Sequence, residues 1–160
     1  MKLGLICVGR LKAGPEREIY ARYAERITAL RRLGLEGLEL REIDESKAKS
    51  PAERMAREGA EICALLPADA GLVVFDERGK PADSAAFAAF VARERDVGRK
   101  ALWFAIGGSE GLDPAVRARA QAVYSFGAMT LPHQLVRILA AEQIYRAMTI
   151  LSGHPYHRGG

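Results

Sequence analysis

Three short apolar runs constrain this chain more than anything else in it. Residues 3–8 (Leu-Gly-Leu-Ile-Cys-Val), 71–76 (Gly-Leu-Val-Val-Phe-Asp) and 101–106 (Ala-Leu-Trp-Phe-Ala-Ile) are almost uninterrupted hydrocarbon. Runs of this length without polar alternation suit strands buried on both faces, the condition of a parallel sheet covered by helices. Residues 38–43 instead alternate Leu38, Leu40 and Ile43 with Glu39, Arg41 and Glu42, which predicts a half-exposed strand. Residues 122–126 read as a further short strand.

Helix signals fill the intervals. Pro15 suits a first helical turn, and Ile19, Tyr23, Ile27 and Leu30 follow at helical spacing. Ser50-Pro51-Ala52-Glu53 reads as a capping box opening a helix to about Leu66. Asp83 or Ser84 caps another that ends near Gly98, and Asp113-Pro114 opens one that ends near Gln121. A long helix follows Pro132. Its apolar residues (Leu135, Val136, Ile138, Leu139, Ile144, Tyr145, Met148) spread widely enough to predict burial on two sides, one against a partner subunit. Strand and helix therefore alternate, and the expected fold class is α/β, a mostly parallel sheet with helices on both faces.

The 160 residues fit one domain, 1–160, closing in a polar tail at 152–160. A composition 49% hydrophobic and 28% charged excludes a disordered chain. The formal charge of +4 is compatible with an anionic partner and equally with a solvated basic surface. No apolar run approaches the roughly 20 residues of a membrane span, and no signal peptide is read at the start, so a cytoplasmic protein is expected. Cys7 and Cys63 lie in no metal-binding pattern and read as buried thiols; no metal is expected.

Chemistry is expected at the loops that end the strands, where ligands of parallel sheets bind. Ile106-Gly107-Gly108-Ser109-Glu110-Gly111-Leu112 has paired glycines that let backbone approach a ligand, although the spacing differs from the dinucleotide fingerprint and also suits a plain tight turn. Asp76-Glu77-Arg78-Gly79-Lys80-Pro81 and Gly127-Ala128-Met129-Thr130-Leu131-Pro132-His133 read as two further loops that can converge on it. Glu142 and Arg146 stand at i, i+4 and can pair. The tail His154-Pro155-Tyr156-His157-Arg158 concentrates two of the chain's three histidines beside a phenol and a guanidinium. These groups can move protons, stack on bases and clamp phosphates.

Taken in order, the Met-Lys-Leu strand ending in Val8-Gly9, Asp76 to Lys80, Ile106 to Leu112, Met129-Thr130-Leu131-Pro132-His133-Gln134-Leu135-Val136-Arg137, Glu142-Gln143-Ile144-Tyr145-Arg146-Ala147 and His154-Pro155-Tyr156-His157 resemble the ribosomal RNA large-subunit methyltransferase H family, small members of the SPOUT class. The resemblance spans the chain, and the Leu-Pro-His-Gln and Pro-Tyr-His segments carry most of its specificity. It implies a C-terminal trefoil knot and a homodimer packed through the first and last helices. It also implies S-adenosylmethionine as cofactor and methylation of N3 of a pseudouridine in helix 69 of 23S ribosomal RNA within the 70S ribosome. By position it implies Phe75, Gly107, Gly108, Phe126, Gly127, Ala128, Met129, Thr130 and Leu131 around the cofactor. It places Tyr156, His157 and Arg158 in the partner's site beside His133, Glu142 and Arg146. Which histidine takes the proton stays open. A SPOUT enzyme acting on tRNA and a non-catalytic ribosome-binding module are the alternatives. The chain departs from the family in continuing past Arg158 with Gly159-Gly160.

Overall fold

The computed structural model describes residues 1–30 and 33–158. At its centre is a strand in which every residue is buried, Ala101–Ile106. It is the fourth of five strands. In chain order they are β1 (Lys2–Val8), β2 (Glu36–Ile43), β3 (Gly71–Pro81), β4 (Ala101–Ile106) and β5 (Ala122–Ser125). They form one sheet in the order β2-β1-β4-β3-β5, and every pairing is parallel. The three uninterrupted apolar runs occupy the interior of the sheet and the charged run, β2, lies at an edge. That is the distribution their polarity requires.

Parallel neighbours need crossover connections, and four helices supply them: α1 (Pro15–Ala29), α2 (Pro51–Leu65), α3 (Ser84–Asp96) and α4 (Pro114–Arg119); a fifth, α5 (His133–Leu151), follows the last strand. Alternate residues of each strand face opposite cores. Leu5, Cys7, Val73, Phe75, Leu102 and Phe104 join α1, α3 and α5. Ile6, Val8, Leu72, Val74, Trp103 and Ala105 join α2 and α4. The α/β layering read from the sequence is the observed architecture.

Capping follows the sequence closely. Ser50 Oγ accepts the Glu53 amide, Asp83 accepts that of Ala86 and Asp113 that of Ala115. The return bond of a capping box, from the Ser50 amide to the Glu53 carboxylate, is absent among the described residues. Cys7 is fully buried as expected, and Cys63 is partly exposed.

Two expectations need correction. Residues 76–81 are not simply a loop. β3 continues to Pro81 after a register slip between Phe75 and Lys80, both of which align with Tyr124 of β5. Gly79 permits this, since a Cβ there would lie 2.5 Å from the backbone carbon of Tyr124. On α1 the buried face carries Tyr20 and Ile27, while Ile19 is 40% exposed. On α5, Tyr145 and Met148 are buried within the chain, packed on the α1 and α3 side of the sheet. Leu135 and Leu139 remain exposed.

Gly79→Ala should strain the β3–β5 junction, because the obstructing atoms are backbone and cannot rotate away. Overpacking of this kind costs about 1–3 kcal/mol. Thermal unfolding should show a fall in Tm of several degrees with an unchanged far-UV spectrum; an unaltered Tm would mean that the junction is soft.

Candidate functional site

Because all five strands run the same way, the loops that follow β3, β4 and β5 meet at one end of the sheet. They enclose a cavity of about 250 Å³, near the lower bound of small-molecule sites. Of the expected cofactor residues, Phe75, Gly107, Gly108, Phe126, Gly127, Met129, Thr130 and Leu131 line it. Ala128 does not. Phe75 and Phe126 stack at 4.9 Å and form an aromatic wall. The glycine loop is tightened by a hydrogen bond from the Gly111 amide to the Gly108 carbonyl, 3.0 Å. A Cβ on Gly107 would lie 2.6 Å from the Gly111 backbone, so that close turn needs glycine.

Side chains that no motif singled out brace these loops. Arg117 of α4 also lines the cavity, pairing with Asp76 at 3.3 Å and donating to the Leu112 carbonyl. It thereby ties the β3 bulge to the glycine loop. From α2, Arg54 reaches Glu110 at 2.5 Å and the Ala48 carbonyl at 3.1 Å. One turn on, Glu58 accepts the Ser46 amide at 2.8 Å, and burial pushes its carboxyl above the usual range. The i, i+4 spacing of Arg54 and Glu58 was visible in the sequence, but their partners were not. The charged loop 44–50 is therefore pinned from below.

His133, the first residue of α5, lines the same cavity. Its Nε2 lies 3.6 Å from Glu45 Oε1. One turn along, the wholly buried Arg137 donates to the Gly9 carbonyl at 2.7 Å and pairs with Glu42. Glu42 also accepts the Leu11 amide, 3.2 Å. Beside this pair, burial pushes the Cys7 thiol up to about 12.

Four of the remaining expected residues, Glu142, Arg146, Tyr156 and His157, form a second cluster, and neither they nor Arg158 line the cavity within the chain. Glu142 is its hub. The carboxylate accepts Arg146 Nε at 2.9 Å, Tyr156 Oη at 3.1 Å and Gln143 Nε2 at 2.7 Å. Arg146 also lies 4.8 Å over the Tyr156 ring and 3.3 Å from His157 Nδ1. Tyr156 packs edge-on against Tyr145, 4.8 Å between centroids. Burial and the adjacent carboxylate push its phenol above the usual range. Arg158 is exposed, and Gly159 and Gly160 lie outside the described residues. Among the described residues no group of acidic, histidine or cysteine side chains could hold a metal ion, and no helix is long and apolar enough to cross a membrane.

Comparison with known proteins matches residues 1–157 to the family described as predicted SPOUT methyltransferase. The chain is 54% identical to the ribosomal RNA large subunit methyltransferase H of Rhodopseudomonas palustris strain HaA2 and 55% identical to that of Methylocella silvestris. In both comparisons the match covers 99% of each chain. Among solved structures, a probable methyltransferase from Bordetella pertussis Tohama I shares the fold at a TM-score of 0.52 and 15% identity. That match covers 91% of this chain and 95% of the other.

Two outcomes follow from the buried groups. A thiol held above its ordinary value contributes stability that is complete below about pH 9 and is lost as the pH rises toward about 12. Urea unfolding at pH 8 and pH 10.5 should therefore show a smaller loss of stability in Cys7→Ala than in the wild type; equal losses would assign the alkaline weakness to other groups. Glu142→Ala should bring one tyrosine back toward ordinary ionisation, read as absorbance at 295 nm during alkaline titration. An unchanged titration would show that the carboxylate does not hold Tyr156.

Proposed function

Taking as premise that the chain belongs to the SPOUT methyltransferase family, we propose that it methylates large-subunit ribosomal RNA with S-adenosylmethionine, at N3 of a pseudouridine in helix 69 on the assembled 70S ribosome. The observation that carries this reading is the 54% identity, over 99% of both chains, to a relative named for large-subunit ribosomal RNA methylation. The cavity fits the cofactor in kind. It has an aromatic and thioether wall (Phe75, Phe126, Met129) for an adenine ring and glycine-loop backbone for polar groups.

When bound, S-adenosylmethionine supplies a methyl group on a sulfonium, already activated for in-line transfer. The protein must then orient the base and remove a proton from N3. In this reading the loop 126–131 would hold the adenosine. His133 or His157 takes the proton, and Arg146 or Arg158 stabilises the developing anion. Glu142, engaged by three side chains, is better read as a positioning residue that fixes Tyr156 and Arg146 than as a base.

The separation of cavity and tail cluster favours a homodimer in which the tail of one protomer completes the cavity of its partner. Leu135, Leu139 and Ile19, exposed on α5 and α1, supply apolar surface for such packing. The C-terminal trefoil knot belongs to the same proposal, with the 126–132 segment and α5 as the threaded part.

Labelled S-adenosylmethionine incubated with ribosomes lacking the modification should yield an N3-methylated pseudouridine by nucleoside mass analysis, and purified tRNA should stay unlabelled. Labelling of tRNA alone, or cofactor binding without transfer to either RNA, would overturn the substrate assignment. Truncation after Gly153 should preserve the fold and cofactor affinity but abolish transfer. In a heterodimer of one truncated chain and one Gly107→Val chain, a tail that crosses between protomers leaves one working site. No activity from subunits confirmed to pair would refute the shared site.

A further inference from the structure

We propose that Glu45 is a positioning residue for methyl transfer: across Gly9 its carboxylate holds the imidazole proton of His133 on Nε2, leaving the lone pair on Nδ1. This rests on the methyltransferase reading above and adds to it a residue outside every motif in the sequence.

Three separate segments create the arrangement. β1 is followed by Gly9, whose φ of +86° disfavours any side chain. A Cβ there would stand 3.3 Å from His133 Nε2 and 3.5 Å from Glu45 Oε1. Glycine leaves the space in which the ring and the carboxylate face each other at 3.6 Å. Each partner is fixed from outside the pair. The loop carrying Glu45 is held by Asp44 on Arg10, 2.7 Å, and by the Ser46 amide on Glu58, 2.8 Å. α5 is held to Gly9 through Arg137.

The surrounding charges leave this role to Glu45. Beside His133, Arg137 is paired with Glu42 and Arg10 with Asp44. Around the cavity Asp76 is paired with Arg117 and Glu110 with Arg54, and Glu77 and Arg78 also line it. Among the described residues Glu45 has no cationic partner apart from the imidazole. A carboxylate beside one ring nitrogen favours the proton there and fixes the tautomer, so the other nitrogen becomes the acceptor.

In the reaction, N3 of the base gives its proton to Nδ1 as its electron pair forms the bond to the methyl carbon. The pair of the broken carbon–sulfur bond stays on sulfur. The imidazolium so formed lies beside the Glu45 carboxylate, which stabilises it electrostatically before the proton passes to water.

The test uses the full chain labelled with 15N-histidine, whose three histidines give separable signals; His133→Gln identifies the one of interest. At pH 8 His133 should show the Nε2–H tautomer in the wild type and a mixture of tautomers in Glu45→Ala. Glu45→Gln retains an acceptor oxygen and should restore the tautomer in part. Because Glu45 is half exposed, these substitutions should leave the fold intact, read as an unchanged far-UV spectrum. On ribosomes, Glu45→Ala should lower kcat about tenfold, a fraction of what a general base supplies, with KM for the cofactor unchanged. An Nδ1–H tautomer in the wild type, identical patterns in wild type and Glu45→Ala, or an unaltered kcat would overturn the proposal. The nitrogen signals can be read even if the wild type methylates no ribosome, so failure of the proposed activity and failure of this pairing are separate results.

Discussion

A guanidinium with almost no exposed surface joins the last helix to the first two strands. Arg137 reaches from α5 to the carbonyl of Gly9, just past the end of β1, and to the carboxylate of Glu42 in β2. The partners lie 128 and 95 residues away in the chain. A buried charge is tolerable only when paired and hydrogen-bonded, and removing one partner of a buried pair commonly costs about 3–5 kcal/mol. The position of α5 against the sheet is therefore tightly set. His133 and the 126–131 loop lead directly into α5, so the same contact sets one wall of the cavity. The Leu11 amide bonds to the same carboxylate, which extends the fixation into the start of the β1–α1 connection.

Close approach is the second constraint, and glycine supplies it at the points where the site is built. Gly79 lets the bulged part of β3 rejoin β5, and Gly107 lets the β4 loop fold onto its own backbone. In both places the nearest obstructing atoms belong to the main chain, so a side chain cannot be accommodated by rotation of a neighbour. The cavity wall is thus backbone geometry braced by ion pairs. Arg117 links the β3 bulge to the end of the glycine loop, and Arg54 links that loop to the 44–50 segment. Struts of this kind hold a binding surface in shape before a ligand arrives, which reduces the ordering cost of binding.

The tail shows how one carboxylate organises a terminus. Glu142 gathers Arg146, Tyr156 and Gln143, and Gln143 is in turn bonded to Ser84 of α3 at 2.8 Å. The aromatic contacts Tyr23–Tyr145 and Tyr145–Tyr156 extend the cluster onto α1. The residues after α5 are thereby anchored to their own chain, and His157 is delivered next to Arg146 rather than left to wander in solvent. A terminus ordered in this way can present reactive groups elsewhere with little further loss of chain entropy.

The sequence by itself determined the local features: three buried strands from uninterrupted apolar runs, a charged edge strand from alternation, helix starts from Ser50, Asp83 and Asp113, and loops that gather at one end because parallel strands share a direction. Those signals act over a few residues, so neighbouring residue types suffice to read them. The family motifs were also legible, since the Leu-Pro-His-Gln and Pro-Tyr-His segments are contiguous. Only the tertiary structure decided the strand order, the continuation of β3 past Gly79, and the inward turn of Tyr145 and Met148. It alone paired Asp76 with Arg117, saturated Glu142 with side-chain donors and brought Glu45 to His133. Each of these depends on groups far apart in the chain or on the space left by a neighbouring element. Spacing along a sequence carries no record of that space; it exists once the helices have packed on the sheet.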